Sequence, residues 1–319
     1  MQRRAFLHTA LASSAATLLP AQFANAQSAP APVWGSPILD THLHLNERRK
    51  SGACLTHMQG CGVSHAVLLT GAPDQDRAKK EIELYPNRFV HSVRTDPTTP
   101  DAISLLRTAL TNGAVSIGEM KFNLALNSPE MRRVYDIAAE LRVPVMLHIQ
   151  DFPHFPGEKP YNTGYPEFDK VLRAHPRTNF IGHGDLFWAH ISAHVPTDRG
   201  YPNGPIQPAG LTDRWLAEFP NLYGDMSANS GNNALSRDPS FTPAFLARHS
   251  RKLIFGSDCS CSDGNGSGVS QNRNPEAARL AGKCVARETL AVLKKHASPQ
   301  HFRRLVWDNA IGLFRLKFA

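Results

Sequence analysis

The chain has 319 residues, of which 41% are hydrophobic and 19% are charged, and this composition is typical of a globular protein with a real core. The formal charge of +8 is a mild excess, and the short basic clusters lack the interleaved aromatic residues of a nucleic-acid surface. We therefore expect solvated basic faces and a small-molecule substrate, and a nucleic-acid partner is disfavoured without being excluded.

The N-terminal residues 1–26 are predicted to be an export signal. Arg3 and Arg4 precede a modestly apolar, alanine-rich stretch that ends in the A-x-A cleavage site of residues 24–26. This pattern resembles a twin-arginine signal and predicts a periplasmic or secreted protein, whose mature formal charge is +8 − 2 = +6. The stretch is too short and too weakly apolar for a membrane span. Residues 27–35, rich in proline and alanine, are predicted to be a linker.

From residue 36 onward, short apolar segments alternate with helical segments, and several of the apolar segments follow a stop signal that contains proline. This order is typical of βα units on a parallel sheet. The predicted strands are 37–44, 63–70, 88–93, 114–122, 143–149, 178–183, 221–226 and 252–258. The predicted helices are 74–85, 101–112, 128–142, 166–175, 211–218 and 241–249, with a short helix or turn over 51–61.

Eight such units most economically close into a single (β/α)8 TIM barrel over residues 36–319. The tail from residue 275 would add the eighth helix and closing helices. Long loops are predicted at the carboxyl ends of four strands, where barrel enzymes place their active sites. These loops are 150–165, 184–210, 227–240 and 259–275.

Polar side chains stand at the carboxyl ends of five predicted strands. They are His42 and His44 on strand 1, Glu119 and Lys121 on strand 4, His148 on strand 5, His183 on strand 6 and Asp258 on strand 8. Apolar or small residues precede the last four sets at two-residue spacing, so one face would be apolar inside the barrel and polar at its rim. Imidazole and carboxylate groups are ligands of first-row metals, and a bound Zn²⁺ lowers the pKa of its water to about 7. The pattern predicts a metal site.

At this point a family resemblance is apparent. The HxH of strand 1, the histidines after strands 5 and 6 and the aspartate after strand 8 resemble the amidohydrolase superfamily, and their order and spacing resemble its amidohydrolase-related subgroup. The resemblance covers the chain from about Ser36. It implies a (β/α)8 fold and one or two divalent metal ions, usually Zn²⁺, with Mn²⁺ or Fe²⁺ as alternatives. It leaves the substrate open, because members include lactonases, deacetylases, phosphoesterases, deaminases and decarboxylases.

Strand 4 separates binuclear from mononuclear members of that superfamily. In binuclear members it supplies a bridging ligand, either a carboxylated lysine or a glutamate, and the phrase IGE at 117–119 resembles the glutamate version of TatD-type deoxyribonucleases. We favour Glu119 as the ligand, because it binds metal without modification. Lys121 would then be a cation near the substrate, or it is itself the carboxylated bridge. A Glu119–Lys121 salt bridge beside a single metal is the remaining alternative.

The leading prediction is an exported hydrolase that cleaves an ester, lactone or amide bond with a metal-activated hydroxide and Asp258 as proton shuttle. Lys121 and His183 are the other predicted catalytic residues. The alternative is a mononuclear decarboxylase with His183 as acid/base. A phosphodiesterase or nuclease ranks lower, because the loops carry no evident phosphate-binding cluster. A non-catalytic metal-binding protein is disfavoured by the intact Asp258. A homo-oligomer is left open.

Further polar residues lie where a substrate would bind, and the sequence does not assign them roles. They are Asp40, His91, His154, Lys159, Tyr161, Trp188, His190, His194, Ser227, Asn229 and Arg237. For His91 a core position is favoured. The loop from 259 to 275, rich in Gly, Ser and Asn, could be a mobile lid or a plain surface loop.

Five cysteines leave at least one unpaired within the chain. Candidate disulfides are Cys261 with Cys284 and Cys54 with Cys61, and the sequence does not choose between them. The C-x-C of residues 259–261 also suggests metal. A structural or disulfide role is favoured, because thiolate metal sites normally show a second cysteine pair close by in the pattern.

Overall fold

The computed structural model describes residues 32–45, 52–151, 153–154, 157–159, 161–196, 200–267 and 279–318. The predicted export signal and residues 27–31 of the predicted linker lie outside this range, so export and these boundaries stay predictions. Among the helices of the described residues, none combines the length and apolarity that crossing a membrane requires.

Eight parallel strands form one sheet whose spatial order is the chain order, and each strand pairs with the next. They are β1 Leu39–His44, β2 His65–Gly71, β3 Phe89–Arg94, β4 Ile117–Met120, β5 Val145–His148, β6 Phe180–His183, β7 Leu222–Asp225 and β8 Leu253–Ile254. Two backbone hydrogen bonds join the last strand to the first: Thr41 N–H donates to Phe255 O at 3.0 Å, and Asp258 N–H donates to His42 O at 2.8 Å. The predicted (β/α)8 barrel is confirmed.

Helices lie between the strands and after the last one. They are α1 Ala53–Cys61, α2 Gln75–Leu84, α3 Ala102–Thr111, α4 Pro129–Leu141, α5 Phe168–Ala174, α6 Asp185–Ala189, α7 Leu211–Glu218, α8 Ala228–Ser236, α9 Thr242–Arg248, α10 Val285–His296, α11 Pro299–Arg303 and α12 Asn309–Phe314. Short 3₁₀ turns at Ala72–Asp74 and Tyr165–Glu167 and a π-helical turn at Arg304–Asp308 complete the set. The predicted helices are present, with bounds within two residues of those expected.

Two of the predicted loops are partly helical, which corrects the sequence analysis. Helices α6 and α8 lie within the segments 184–210 and 227–240. The α8 sequence ANSGNNALS has a low intrinsic helix propensity, and seven of its residues are buried. Tertiary packing therefore stabilises this helix, and its local sequence gives no helical signal.

Helix α4 shows how local sequence builds the outer layer. Ser128 precedes it and accepts the Met131 N–H at 3.3 Å, and Pro129 occupies the first turn, where its missing N–H is tolerated. The buried positions recur at three- and four-residue spacing: Met131, Val134, Tyr135, Ile137 and Ala138. This apolar stripe packs toward the barrel.

The apolar interior consists of two clusters, a large one and a smaller one. The smaller one joins strand residues to the C-terminal segment: Leu39, Val67, Leu69, Met146, Ile181, Ile254, Ala310, Leu313, Phe314 and Leu316. Met146 and Ile181 stand two residues before a predicted ligand on their strands, so the inward face is apolar below the rim as expected. On β4 the strict alternation fails. Ile117 packs in the larger cluster, and the pairing with β5 shifts between Ile117 and Met120.

Candidate metal centre at the carboxyl ends of the strands

The predicted ligands converge at the rim of the barrel. Six side chains form what we call the strand-end cluster: His42, His44, Glu119, His148, His183 and Asp258. Within it, three sets of three have ligand atoms that all lie within 4.8 Å of one another: His42 with His44 and Glu119, Glu119 with His148 and His183, and His42 with His183 and Asp258. Parallel strands bring their carboxyl ends to one edge, which explains why residues 216 positions apart in the chain meet here.

Glu119 lies between two pairs of histidines. Its Oε2 is 3.6 Å from His42 Nε2 and 3.3 Å from His44 Nε2. Its other oxygen, Oε1, is 3.3 Å from His183 Nε2 and contacts His148 Nδ1. Each carboxylate oxygen therefore faces one histidine pair, which is the arrangement a carboxylate needs to bridge two cations.

Asp258 lies across the cluster from Glu119. Its Oδ1 is 3.4 Å from His44 Nε2 and 3.8 Å from His42 Nε2, and its Oδ2 is 4.0 Å from His183 Nε2. The Asp258 side chain is 30% exposed, whereas that of Glu119 is 6% exposed. The backbone of Asp258 has a φ of 44°, a left-handed conformation that aspartate tolerates better than most residues. Asp258 is thus the cluster carboxylate that solvent and substrate reach.

Asp225, the last residue of β7, contacts two histidines of the cluster, and the sequence analysis missed it. Its Oδ2 is 2.8 Å from His42 Nδ1 and 3.2 Å from His183 Nδ1, and it accepts the Ser227 hydroxyl at 2.5 Å. The side chain is fully buried. An acceptor on Nδ1 fixes the ring and leaves Nε2 to face the cluster centre. The available signal was its position, since it ends a strand as the predicted ligands do.

Small and polar neighbours hold this arrangement in place. The segment that follows β8 approaches so closely that a Cβ on Gly256 would lie 2.4 Å from Asp225 Oδ1 and 2.7 Å from His42 Cβ, so glycine is required there. Asp40 Oδ1 accepts the backbone N–H groups of His42 at 3.0 Å and Ser257 at 2.8 Å. It therefore joins the ends of β1 and β8 through their backbones, next to the predicted ligands. Trp188 Nε1–H donates to the Asp225 carbonyl at 2.9 Å.

The electrostatics of the cluster favour a bound cation. Burial by itself would lower the pKa of His42, but the charge of Asp258 and hydrogen bonds to Asp225 and Glu119 raise it well above its ordinary value. Burial would likewise raise the pKa of Glu119, yet the charge of His148 and hydrogen bonds from the histidines hold it well below its ordinary value. The buried carboxylates are thus ionised and are stabilised by positive charge next to them. Divalent ions supply such charge, and the imidazole and carboxylate donors fit them.

Lys121 lies beyond the end of β4, next to the loop that follows β5. Its Nζ is 3.8 Å from Glu158 Oε1 and 5.7 Å from the centre of the Tyr161 ring. Gln150 Nε2–H donates to Glu158 at 3.1 Å, and Gln150 Oε1 lies 2.7 Å from His148 Nε2. Among the ion pairs of the described residues, Lys121 pairs with Glu158. A chain of polar contacts thus runs from Lys121 through Glu158 and Gln150 to His148.

Three other candidate histidines lie outside the strand-end cluster. His154 Nε2 lies 3.4 Å from Asp185 Oδ2, and both are within ligand distance of His148. His91 is buried in the barrel as expected, its ring nitrogens have no hydrogen-bond partner among the described residues, and burial lowers its pKa to about 4. His190 packs against the Tyr165 ring, and burial lowers its pKa to about 4 as well. His91 is thus a neutral core histidine, and His190 is a neutral, half-buried one.

Replacing Asp225 with asparagine should weaken metal binding about 10- to 100-fold, because the amide supplies no charge to two imidazoles and presents N–H to one of them. The measurement is a competitive titration with a metal-binding dye. Asp213, which binds Arg248 and His249 away from the cluster, is the matched control for a buried aspartate. Asp213→Asn should leave the affinity unchanged, and an unchanged affinity in Asp225→Asn as well would show that Asp225 does not orient the histidines.

Comparison with known proteins identifies one family. The profile described as amidohydrolase matches residues 52–316, most of the chain. None of the curated proteins compared with the chain matches it.

Solved structures of several enzymes share the fold. A probable 2-pyrone-4,6-dicarboxylic acid hydrolase from Acinetobacter baumannii, with citric acid bound, has a TM-score of 0.54 and 14% identity over 88% of this chain and 99% of its own. 2,6-Dihydroxybenzoate decarboxylase with 2,6-dihydroxybenzoate has a TM-score of 0.52 and 14% identity over 88% and 100%. 5-Carboxyvanillate decarboxylase from Novosphingobium aromaticivorans, with manganese and 4-hydroxy-3-methoxy-5-nitrobenzoic acid, has a TM-score of 0.53 and 11% identity over 89% and 97%. At these identities the likeness shows the fold alone.

Proposed function

Because this chain belongs to the amidohydrolase family, we propose that it is a metal-dependent hydrolase that cleaves an ester, lactone or amide bond in a small-molecule substrate. The observation that carries the proposal is the position of Glu119 between two histidine pairs. A carboxylate placed to hold two cations suits hydrolysis, because a pair of cations would supply the charge stabilisation that attack of water on a carbonyl group needs.

The cluster offers donors for two ions that share Glu119. His42 and His44 would hold one ion, and His148 and His183 the other, with Asp258 within reach of both groups. Ions held there would supply Lewis acidity to a carbonyl group and would make hydroxide available near neutral pH. We propose zinc, because imidazole-rich sites suit it, with manganese or iron as alternatives.

The protein's own residues perform the proton transfers. Asp258 is partly exposed and accepts the proton of the attacking water, then delivers it to the leaving group. Asp225 keeps the Nδ1–H groups of His42 and His183 pointing away from the reacting atoms. Lys121 stands outside the cluster as a cation, where it would bind an anionic group of the substrate, and its partner Glu158 holds it in place.

Decarboxylation is the second candidate, and the contacts of His148 favour it. Both of its ring nitrogens are engaged, Nδ1 by Glu119 and Nε2 by Gln150 Oε1 at 2.7 Å. Glu119 would then be a hydrogen-bond partner of His148, and a single ion would bind to the set of His42, His183 and Asp258. Two of the structural neighbours are decarboxylases. A phosphodiesterase stays a prediction from sequence.

The two reactions differ in what the solvent contributes to the product. We expect a panel of lactones, esters and amides, incubated in H₂¹⁸O, to yield carboxylic acids that contain ¹⁸O, without release of CO₂. The same enzyme is given aromatic and unsaturated carboxylic acids in D₂O. Release of CO₂ with uptake of a deuteron on carbon, and no hydrolysis in the first panel, would overturn the hydrolase proposal in favour of the decarboxylase.

We also propose that the enzyme is exported. The support is the pair Arg3 and Arg4 ahead of an alanine-rich stretch and a cleavage site at 24–26. Twin-arginine substrates cross the membrane folded, and this route suits an enzyme that acquires its metal ions in the cytoplasm.

A further inference from the structure

A second group of metal-type side chains lies outside the strand-end cluster. His57 on α1, Cys259 and Cys261 just after β8, and Cys284 just before α10 place their ligand atoms within 4.8 Å of one another. We call these four residues the sulfur cluster. We propose that the sulfur cluster is a structural zinc site. This inference does not depend on the reaction proposed above.

The distances within the sulfur cluster match a tetrahedral zinc site. Zn–S bonds of about 2.3 Å place the sulfurs of a tetrahedron about 3.8 Å apart. Cys259 Sγ lies 3.4 Å from Cys261 Sγ and 3.9 Å from Cys284 Sγ, and Cys261 Sγ lies 3.3 Å from His57 Nδ1. Three thiolates and one imidazole are a common ligand set of structural zinc, and thiolates disfavour magnesium, calcium and manganese.

Burial indicates a structural role for this site. The exposed fraction is 0% for His57, 4% for Cys259, 1% for Cys261 and 2% for Cys284. A substrate or an exchanging water would need an open position, and catalytic zinc sites keep one, whereas structural sites are closed by four protein ligands.

The surroundings of His57 agree with metal ligation through Nδ1. Its Nε2 lies 3.8 Å from Cys61 Sγ, on the same helix. A histidine that binds metal through one nitrogen usually gives the N–H of the other to an acceptor, which fixes the ring. Cys61 would therefore be the neighbour that orients His57 and not a ligand.

Disulfide bonding explains the cluster less well. All five cysteines are free thiols in the structure, so neither of the predicted pairs is formed. A bond between Cys261 and Cys284 would use two sulfurs and give no role to Cys259 Sγ, 3.4 Å from Cys261 Sγ, or to His57 Nδ1, 3.3 Å from the same sulfur. One cation satisfies all four side chains at once. The second half of the ligand set, which the C-x-C pattern lacks locally, comes from His57 and Cys284.

The site would connect α1, which follows β1, to the loop that follows β8. Both segments adjoin strands that carry residues of the strand-end cluster. Cys259 directly follows Asp258, and α1 is the first helix after β1, which carries His42 and His44. The loop after β8 already packs tightly on α1, since a Cβ on Gly60 would lie 1.8 Å from the Asp263 carbonyl oxygen. Zinc in the sulfur cluster would hold the backbone of Asp258 in place.

The test uses the purified full chain and X-ray absorption at the zinc edge. We expect a sulfur shell at about 2.3 Å, which the strand-end cluster cannot produce because it contains no sulfur. After exchange of zinc for Co²⁺, the protein should show sulfur-to-cobalt charge-transfer absorption. A zinc spectrum with nitrogen and oxygen neighbours alone would overturn the proposal, and wild-type protein suffices for this result.

Variants then assign the ligands. Cys284→Ser should lose about one zinc per chain and most of the charge-transfer absorption, while Cys54→Ser, a buried cysteine of α1 outside the cluster, should lose neither. Cys61→Ser should keep the ion. Equal zinc content in Cys284→Ser and Cys54→Ser, or a disulfide among Cys259, Cys261 and Cys284 found by thiol titration of unfolded wild-type protein, would refute the site.

Discussion

Asp258→Asn should lower kcat by about 10²- to 10⁴-fold, the usual contribution of a general acid–base residue. Asparagine keeps the shape and one oxygen of the side chain but cannot accept a proton at neutral pH. Asp258 is the cluster carboxylate with substantial exposure, 30%, and it faces His44, His42 and His183 from one side. The loss should appear in kcat, with the metal content and the thermal unfolding midpoint close to those of wild type.

The matched control for this variant is Asp263→Asn on the same loop. The Asp263 carboxylate accepts backbone N–H groups of Asn265, Gly266 and Ser267 within that loop, and kcat should change less than about tenfold. Near-wild-type turnover of Asp258→Asn would contradict its role as proton shuttle. Loss of bound metal together with activity would make Asp258 a ligand first and a proton acceptor second.

Glu119→Gln should remove about one metal ion per chain relative to wild type and abolish hydrolysis. The glutamate presents one oxygen to each histidine pair, whereas a glutamine presents an oxygen to one pair and an NH₂ group to the other. The measurement is elemental analysis of protein purified without added metal. Because the sulfur cluster is predicted to hold its own zinc, the difference between variant and wild type is the informative quantity.

The control for this experiment is Glu158→Gln. Glu158 is a nearby carboxylate that binds Lys121 and Gln150 and lies outside the strand-end cluster, so its loss should leave the metal content unchanged. Equal metal content in Glu119→Gln and wild type would make Glu119 a hydrogen-bond partner of His148. The remaining set of His42, His183 and Asp258 would then hold one ion, and decarboxylation would become the leading reaction.

The sequence by itself determined the architecture and the edge of the barrel at which the predicted ligands meet. Strand and helix periodicities are local properties, so the eight strands and the predicted helices could be found from residue patterns. Once the sheet is parallel, all carboxyl ends meet at one edge. The convergence of His42, His148, His183 and Asp258 therefore followed from strand positions without knowledge of any side-chain contact.

Tertiary structure alone decided what depends on contacts between distant segments. Helix α8 has poor helix formers and exists because it is buried, which no local pattern reports. Lys121 pairs with Glu158 on a loop whose path is set by packing, and no spacing in the sequence reports that contact. Asp225 ends a strand, which the sequence shows. Its contacts with the Nδ1 atoms of two histidines exist only because the closed barrel brings those atoms together.

The sulfur cluster shows the same division most clearly. The C-x-C of residues 259–261 was visible in the sequence. It did not predict a metal site, because two cysteines supply only half of the four ligands that structural zinc needs. His57 lies 204 residues from Cys261, and spacing over such a distance carries no information about proximity. The loop after β8 and α1 meet because the barrel closes β8 against β1, so the four donors become neighbours through closure of the sheet.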